Sequence, residues 1–405
     1  IVDALTAQLA RAPIAAGEQA SDSWPTPFGS NDRSRIPAGG AKGMVLTASV
    51  PIMPTAPRNI PQPQAREFQR QKEGAGARGM LNGIMPVVDQ GAMYFHDNAR
   101  VYAVSLTSGL PLPGWAATYG GDANGTFHLT DAWSMPANTQ MTLTLGEREV
   151  VAILGHPDML ATQTMGTPMQ SQAQLVSLDR VTGKRLWSTS LRSAKLPDAL
   201  QSLREMQLVG TPLLAGENIY VQARGGSGRQ FEESYLLCFA RDDGAFRWAG
   251  YLASAGTGMQ AWGEFGPIQS AATASHLAYA SGRVFALTNL GAVAAIDAFD
   301  GTIAWLNIYP KTNDGVAPNS RFNRQTPGNT ARPFSGNPVV VRDGKVFTLP
   351  ADGTHIHVYD AGTGIEIRRL ARSHFSNAHT LLGIAGNRMV LAGDQQVWCI
   401  DWNLY

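Results

Sequence analysis

Cysteine is scarce in this chain: there are two among 405 residues, Cys238 and Cys399. So few thiols exclude a disulfide-stapled module, and neither has a second cysteine close enough in sequence to seat a metal. Charge is thin as well, at 16% of residues, and its signs cancel, 32 Lys+Arg against 31 Asp+Glu giving a net charge of +1. No global field is then available to gather nucleic acid or an anionic membrane, and neither is expected as a partner. No apolar run approaches the ~20 residues needed to span a bilayer, so no transmembrane segment is expected. The chain opens on Ile1 without the basic start and continuous apolar stretch of a signal peptide. Ile1, Leu5 and Leu9 are spaced by four, like the last turns of an amphipathic helix, and residues 1–22 read as an N-terminal tail. Glycine and proline, at 43 and 24 residues, are plentiful beside a 44% hydrophobic content. That combination describes a large core folded through many turns.

One pattern recurs along the chain. Residues 175–187, 236–248 and 293–305 each run from an apolar strand through a polar turn to a glycine, with tryptophan four residues later: Gly183 and Trp187, Gly244 and Trp248, Gly301 and Trp305. A looser copy places Gly109 before Trp115, another has Gly364 with Arg368 where tryptophan is expected, and a sixth, from Val397 to Asp401, stops before the turn. The glycine-to-glycine steps are 74, 61, 57 and 63 residues. They exceed the ~40–50 residues of a minimal propeller blade, so the repeats carry insertions.

Each unit has the same interior grammar of four short strands joined by Gly/Asp turns, which predicts a four-stranded antiparallel blade. The fold class is therefore all-β, a β-propeller of six blades. The tryptophans are expected to dock on the neighbouring blade, each burying on the order of 200 Å². Asp179, Asp297, Asp360 and Asp401 share one repeat position and are expected to accept backbone N–H groups in the turns. Cys238 and Cys399 fall at one repeat position in blades three and six, where small side chains suit blade-on-blade packing, which predicts two free, buried thiols.

The motif Ala295–Trp305, with Ala280–Gly291 before it, resembles the pyrroloquinoline-quinone (PQQ) type propeller repeat of quinoprotein dehydrogenases and of the outer-membrane assembly lipoprotein of the β-barrel machinery. The segment opening Ser23-Trp24-Pro25 and ending Ser34-Arg35 resembles the W-P-x-x-G-G-x-x-x-x-S-R opening of that superfamily. In the dehydrogenases the resemblance implies adjacent cysteines against the cofactor, a stacking tryptophan, and a Glu/Asn/Asp set for Ca²⁺ with a nearby Asp base. This chain has no adjacent cysteines, and no matching base or Ca²⁺ cluster is legible. The reading is a non-catalytic scaffold binding other proteins in a cell-envelope assembly, periplasmic or at the cell surface, with no cofactor and no metal. The alternative is a PQQ-dependent oxidoreductase using the central funnel.

Residues 43–50 read as a strand without a nearby partner, and the last blade lacks its fourth strand. The N-terminal strand is therefore expected to complete that blade and remove an open sheet edge, unless the array continues as part of a seven- or eight-bladed ring. Domain bounds follow: residues 23–80 for the closing strand and Pro-rich crossing loop, 81–405 for the propeller. Residues 196–206 carry a helix-start proline, Pro197, with Leu200 and Leu203 at helical spacing, and suggest a short decorating helix. The long segment 311–338 holds Arg321, Phe322, Arg324, Arg332 and Phe334, the candidate partner-binding loop. His355 and His357 share one strand face, with His374 and His379 as candidate third ligands, but solvent-facing histidines are the expectation. The Gly-rich run from Arg224 to Arg229 joins two strands instead of opening a helix, so it reads as a hairpin tip and not a phosphate cradle.

Overall fold

The computed structural model describes residues 23–35, 83–96, 101–115, 140–155, 173–225, 231–256, 275–310, 336–376, 378–393 and 396–404. Six antiparallel sheets follow one another along the chain as the blades of a β-propeller. Sheets two to five each pair four strands in sequence order; sheet four, for example, is Ala278–Ala280, Arg283–Leu287, Ala292–Asp297 and Ile303–Ile308. Sheet one pairs Val87–Asp89, Ala92–His96 and Val101–Ser105, and Pro111 adds an outer bridge to Val104. Sheet six pairs Thr380–Ala385, Arg388–Ala392 and Val397–Asp401. The expected closing strand at 43–50 lies outside the described residues.

The strands are apolar on both faces because each sheet is covered on both sides by its neighbours. The core is accordingly a set of slabs between successive sheets. Tyr94 and Leu143 meet between sheets one and two, Leu175 and Phe239 between two and three, Tyr220 and Ile296 between three and four. Phe285 and Tyr359 join sheets four and five, and Phe347 and Met389 join five and six.

At the rim each tryptophan docks on the next blade's turn. Gly244 shows why glycine is required there: its φ is +70°, and a Cβ would lie 2.5 Å from Cε3 of Trp187. Any other residue would meet both a backbone penalty and a clash with a rigid ring. Trp115 sits in the same way over Gly183, Trp248 over Gly301 and Trp305 over Gly364. The indole N–H donates across the junction, Trp187 to the Arg241 carbonyl at 3.1 Å and Trp305 to the Ala361 carbonyl at 3.0 Å. A register shift recurs just before the tryptophan in sheets two to four, a bulge that re-aims the ring toward the next blade, and before Arg368 in sheet five. The repeated aspartates cap the turns as expected: Asp179 Oδ1 accepts from Thr182 N at 2.7 Å, Asp297 from Phe299 N at 2.8 Å, Asp360 from Thr363 N at 2.8 Å and Asp401 from Asn403 N at 3.1 Å.

The structure corrects three details. Both cysteines are free and Cys238 is buried, but Cys399 is only half-buried, because it lies on the outermost described strand of sheet six. The decorating helix is a kinked 3₁₀ element, Asp198–Glu205, with Leu203 driven into the slab between sheets two and three. His357 does not face solvent: Tyr309, from the end of sheet four's outer strand, covers it, and its Nδ1 lies 2.6 Å from Glu366 Oε1. Burial holds the His357 imidazole below its ordinary value despite that carboxylate. The His355 ring lies beside it, with centroids 6.1 Å apart, but among the described residues no three His, Cys, Asp or Glu side chains form a metal-binding group.

Candidate functional site

Residues 23–35 form no helix or strand of their own, yet they lie across the inner strands of the ring. Trp24 exchanges two backbone hydrogen bonds with Val88 of sheet one, at 2.5 and 2.9 Å. The Pro25 carbonyl accepts from Leu145 N of sheet two at 2.7 Å. Asn31 Nδ2 donates to the Leu214 carbonyl of sheet three at 2.6 Å, and its own carbonyl accepts from Tyr279 N of sheet four at 2.9 Å. The Asp32 carbonyl accepts from Val341 N of sheet five at 2.8 Å. Arg342 Nη1 then donates both to the Ser34 carbonyl, at 3.2 Å, and to the Ile384 carbonyl of sheet six, at 3.3 Å.

Local chemistry shapes this path. Phe28, Gly29 and Arg33 have φ of +63°, +82° and +61°, which turn the chain sharply around Ser30–Asp32. Asp32 fixes that turn by accepting from Ser30 Oγ at 2.6 Å, Ser34 N at 3.1 Å and Ser34 Oγ at 2.8 Å. Arg33 points inward and is 1% exposed. Its Nε donates to the Leu277 carbonyl at 2.8 Å, and Nη1 donates to Thr26 Oγ1 at 2.5 Å and the Pro27 carbonyl at 2.8 Å. Burial pulls the guanidinium down to about 9, with Asp32 opposing.

A polar chain runs beside it across four blades. His96 Nε2 donates to the Thr142 carbonyl at 3.0 Å, the hydroxyls of Thr142 and Thr211 are 2.5 Å apart, and Thr211 Oγ1 lies 2.6 Å from His276 Nδ1. Thr26 and Thr144 share a second hydroxyl contact at 3.0 Å, and Thr144 Oγ1 donates to the Pro212 carbonyl. Burial lowers His96 to about 4; burial and then the Arg33 charge lower His276 to about 3. Both imidazoles are neutral at physiological pH.

At the rim, a cleft of about 320 Å³ opens between sheets five and six, lined by Arg342, Lys345, Phe347, Asn387, Trp402 and Asn403 among others. The Lys345 ammonium stands 5.6 Å from the centroid of the Trp402 ring.

Comparison with known proteins places these features in a family. The family described as outer membrane protein assembly factor BamB matches residues 70–255 and 249–403. The chain belongs to that family. A solved quinohemoprotein alcohol dehydrogenase from Comamonas testosteroni is similar at 13% identity, over 91% of this chain and 52% of that one, with a TM-score of 0.50. BamB from Moraxella catarrhalis is similar at 15% identity, over 77% of this chain and 70% of that one, with a TM-score of 0.43. A europium-containing methanol dehydrogenase matches at 15% identity, over 71% of this chain and 50% of that one, with a TM-score of 0.42. The chain thus spans about half the length of the two dehydrogenases. No curated protein sequence matches.

Among the described residues of this BamB-family chain, no three His, Cys, Asp or Glu side chains gather as a cation site would need. Cys238 and Cys399 stand in sheets three and six and cannot form a vicinal pair. Asp32, the carboxylate on the axial segment, spends both oxygens on Ser30 and Ser34. Arg321, Phe322, Arg324, Arg332 and Phe334 lie outside the described residues, as does the Gly-rich tip at 226–230. Sequence reasoning missed Arg33, His96 and His276, each of which occurs once and carries no repeat signal.

Proposed function

We propose that this chain is a non-catalytic propeller scaffold that binds another protein in a cell-envelope assembly of the periplasm or cell surface. The observation that carries this reading is the outer strand of sheet four. Ile303–Ile308 contains no charged residue and exposes Ile303, Leu306 and Ile308, the last at 81%. Phe299, in the turn before it, is 89% exposed. Edge strands are ordinarily guarded by charge, as Arg185, Arg368 and Arg369 guard the outer strands of sheets two and five. An unguarded apolar edge is what a polypeptide partner uses. The strand leads directly into segment 311–338, whose Arg321, Phe322, Arg324, Arg332 and Phe334 are proposed to complete the contact. Membership in the BamB family supports a role in assembly.

The test is native mass spectrometry of complexes isolated from the natural source, using wild type, Ile308→Asp, and a variant with the five loop residues changed to alanine. Loss of the same partner mass in both variants supports the reading, and retention in both refutes the chosen surface. Calorimetry with PQQ and Ca²⁺, followed by dye-linked alcohol oxidation, tests the alternative supported by the dehydrogenase-like fold: binding with turnover would replace the scaffold reading with a quinoprotein oxidoreductase.

A further inference from the structure

We infer that residues 23–35 are an axial fastener that locks the six blades together from inside the ring. Three observations carry this. The segment meets the sheets nearly in ring order: one at Trp24, two at Pro25, three and four at Asn31, five at Asp32, and six through Arg342 at Ser34. Its contacts are mostly main-chain partners for axis-facing edges, so Val88, Leu145, Tyr279 and Val341 each spend their N–H on it. Innermost strands have no further strand to pair with, and an unpaired buried N–H is costly. Finally, Arg33 is held entirely by neutral oxygens, with its Nη2 partnerless and no ion pair to it among the described residues.

A guanidinium is expensive to bury without a carboxylate. Its position across Thr26, Pro27 and Leu277 stabilises one arrangement, that in which the segment and sheet four are docked together. Elsewhere, among the described residues, the core clusters join each blade to its immediate neighbours, and a fan of such contacts can open at one seam. A single stretch bonded to sheets one, two, three, four and five, and tied to six by Arg342, couples all the blades at once. Trp24, Pro25, Asp32 and Ser34 make these ties through main-chain atoms, so the segment needs no regular structure: the blades supply its shape.

The test is amide hydrogen exchange by mass spectrometry on the full chain. Expected for Arg33→Met is at least tenfold faster exchange at Val88, Leu145, Tyr279 and Val341 together, with the outer strands Ile303–Ile308 and Glu366–Ala371 unchanged. Acceleration confined to peptides around Leu277, the residue Arg33 itself touches, overturns the proposal. Should Arg33→Met not fold, Arg33→Lys keeps the charge but cannot span three acceptors, and a smaller joint rise at the same four amides is expected. Wild type alone also decides: if these four amides exchange freely while their second-strand neighbours are protected, there is no fastener.

Discussion

The blades are held at two places, and the two work by different physics. At the rim, one device is repeated: an indole on a glycine turn at four successive junctions, with its N–H donated to a carbonyl of the next blade at three of them. On the axis nothing repeats, and residues far apart in sequence meet once, as Arg33 meets Leu277 across 244 positions. The rim uses apolar area and shape, which tolerate local failure because each junction is separate. The axis uses buried polar groups, which stabilise only when all partners are in place.

The largest effect is expected at a rim junction. Trp305, 8% exposed, packs against Phe285, Tyr359 and Gly364. Trp305→Ala should destabilise the chain by about 3–5 kcal/mol, read from the urea midpoint. A cost near zero would mean that the junctions are held from the axis alone.

Acid should find the axis instead. His96 and His276 have folded values of about 4 and about 3, below the ordinary 6.5. Above pH 6.5 both folded and unfolded chains leave them neutral, and nothing changes. Below it the unfolded chain takes up protons that the folded chain refuses, so stability falls with pH until the folded values are reached. From pH 7 to pH 5 the loss is roughly 2 kcal/mol per histidine. His276→Gln should remove about half of it, and an unchanged urea midpoint in wild type across that range would show that water reaches both rings. His357, also lowered by burial, acts with the same sign.

What could be read in the sequence follows this division. Gly183, Trp187, Gly244, Trp248, Gly301, Trp305 and Gly364 announced the blades because the same contact was written several times at fixed spacing. The capping aspartates were legible for the same reason. Arg33, His96 and His276 were not, since a contact made once between distant residues leaves no period. Segment 23–35 was recognisable as an opening motif, but its path across the axis depends on where six sheets converge. His357 was misread because strand alternation gives a face without saying what covers it, and Tyr309 arrives from the preceding sheet.

The junction between sheets five and six breaks the rim rule and sharpens it. Position 368 holds an exposed arginine, so sheet five sends no indole forward. Trp402 comes back from sheet six instead, its ring 5.2 Å from Phe347 and its N–H donating to the Gly386 carbonyl at 3.3 Å. Phe347 is the counterpart of Phe285, which Trp305 meets at 6.0 Å one junction earlier. The same space is filled from the opposite blade, with the 320 Å³ cleft left beside it. A ring facing a cleft loses fewer contacts when removed, so Trp402→Ala should cost about 2–3 kcal/mol, less than Trp305→Ala. An equal or greater cost would show that the cleft does not weaken this junction.

The smallest effect is the most discriminating. If the rim simply required tryptophan at every repeat, Arg368→Trp would restore the pattern and stabilise the protein. With Trp402 already against Phe347, a second indole has no vacant slab to enter and would remain largely in water. The expected change in the urea midpoint corresponds to no more than about 0.5 kcal/mol, as for an ordinary surface substitution. In the Trp402→Ala background the result should differ, because the space beside Phe347 is then free, and Arg368→Trp should recover part of the loss. Recovery only in the double variant would show that the junction has one indole-sized place and accepts it from either blade; stabilisation by Arg368→Trp alone would show two places, and the substitution of one tryptophan for another would fail as an account of this seam.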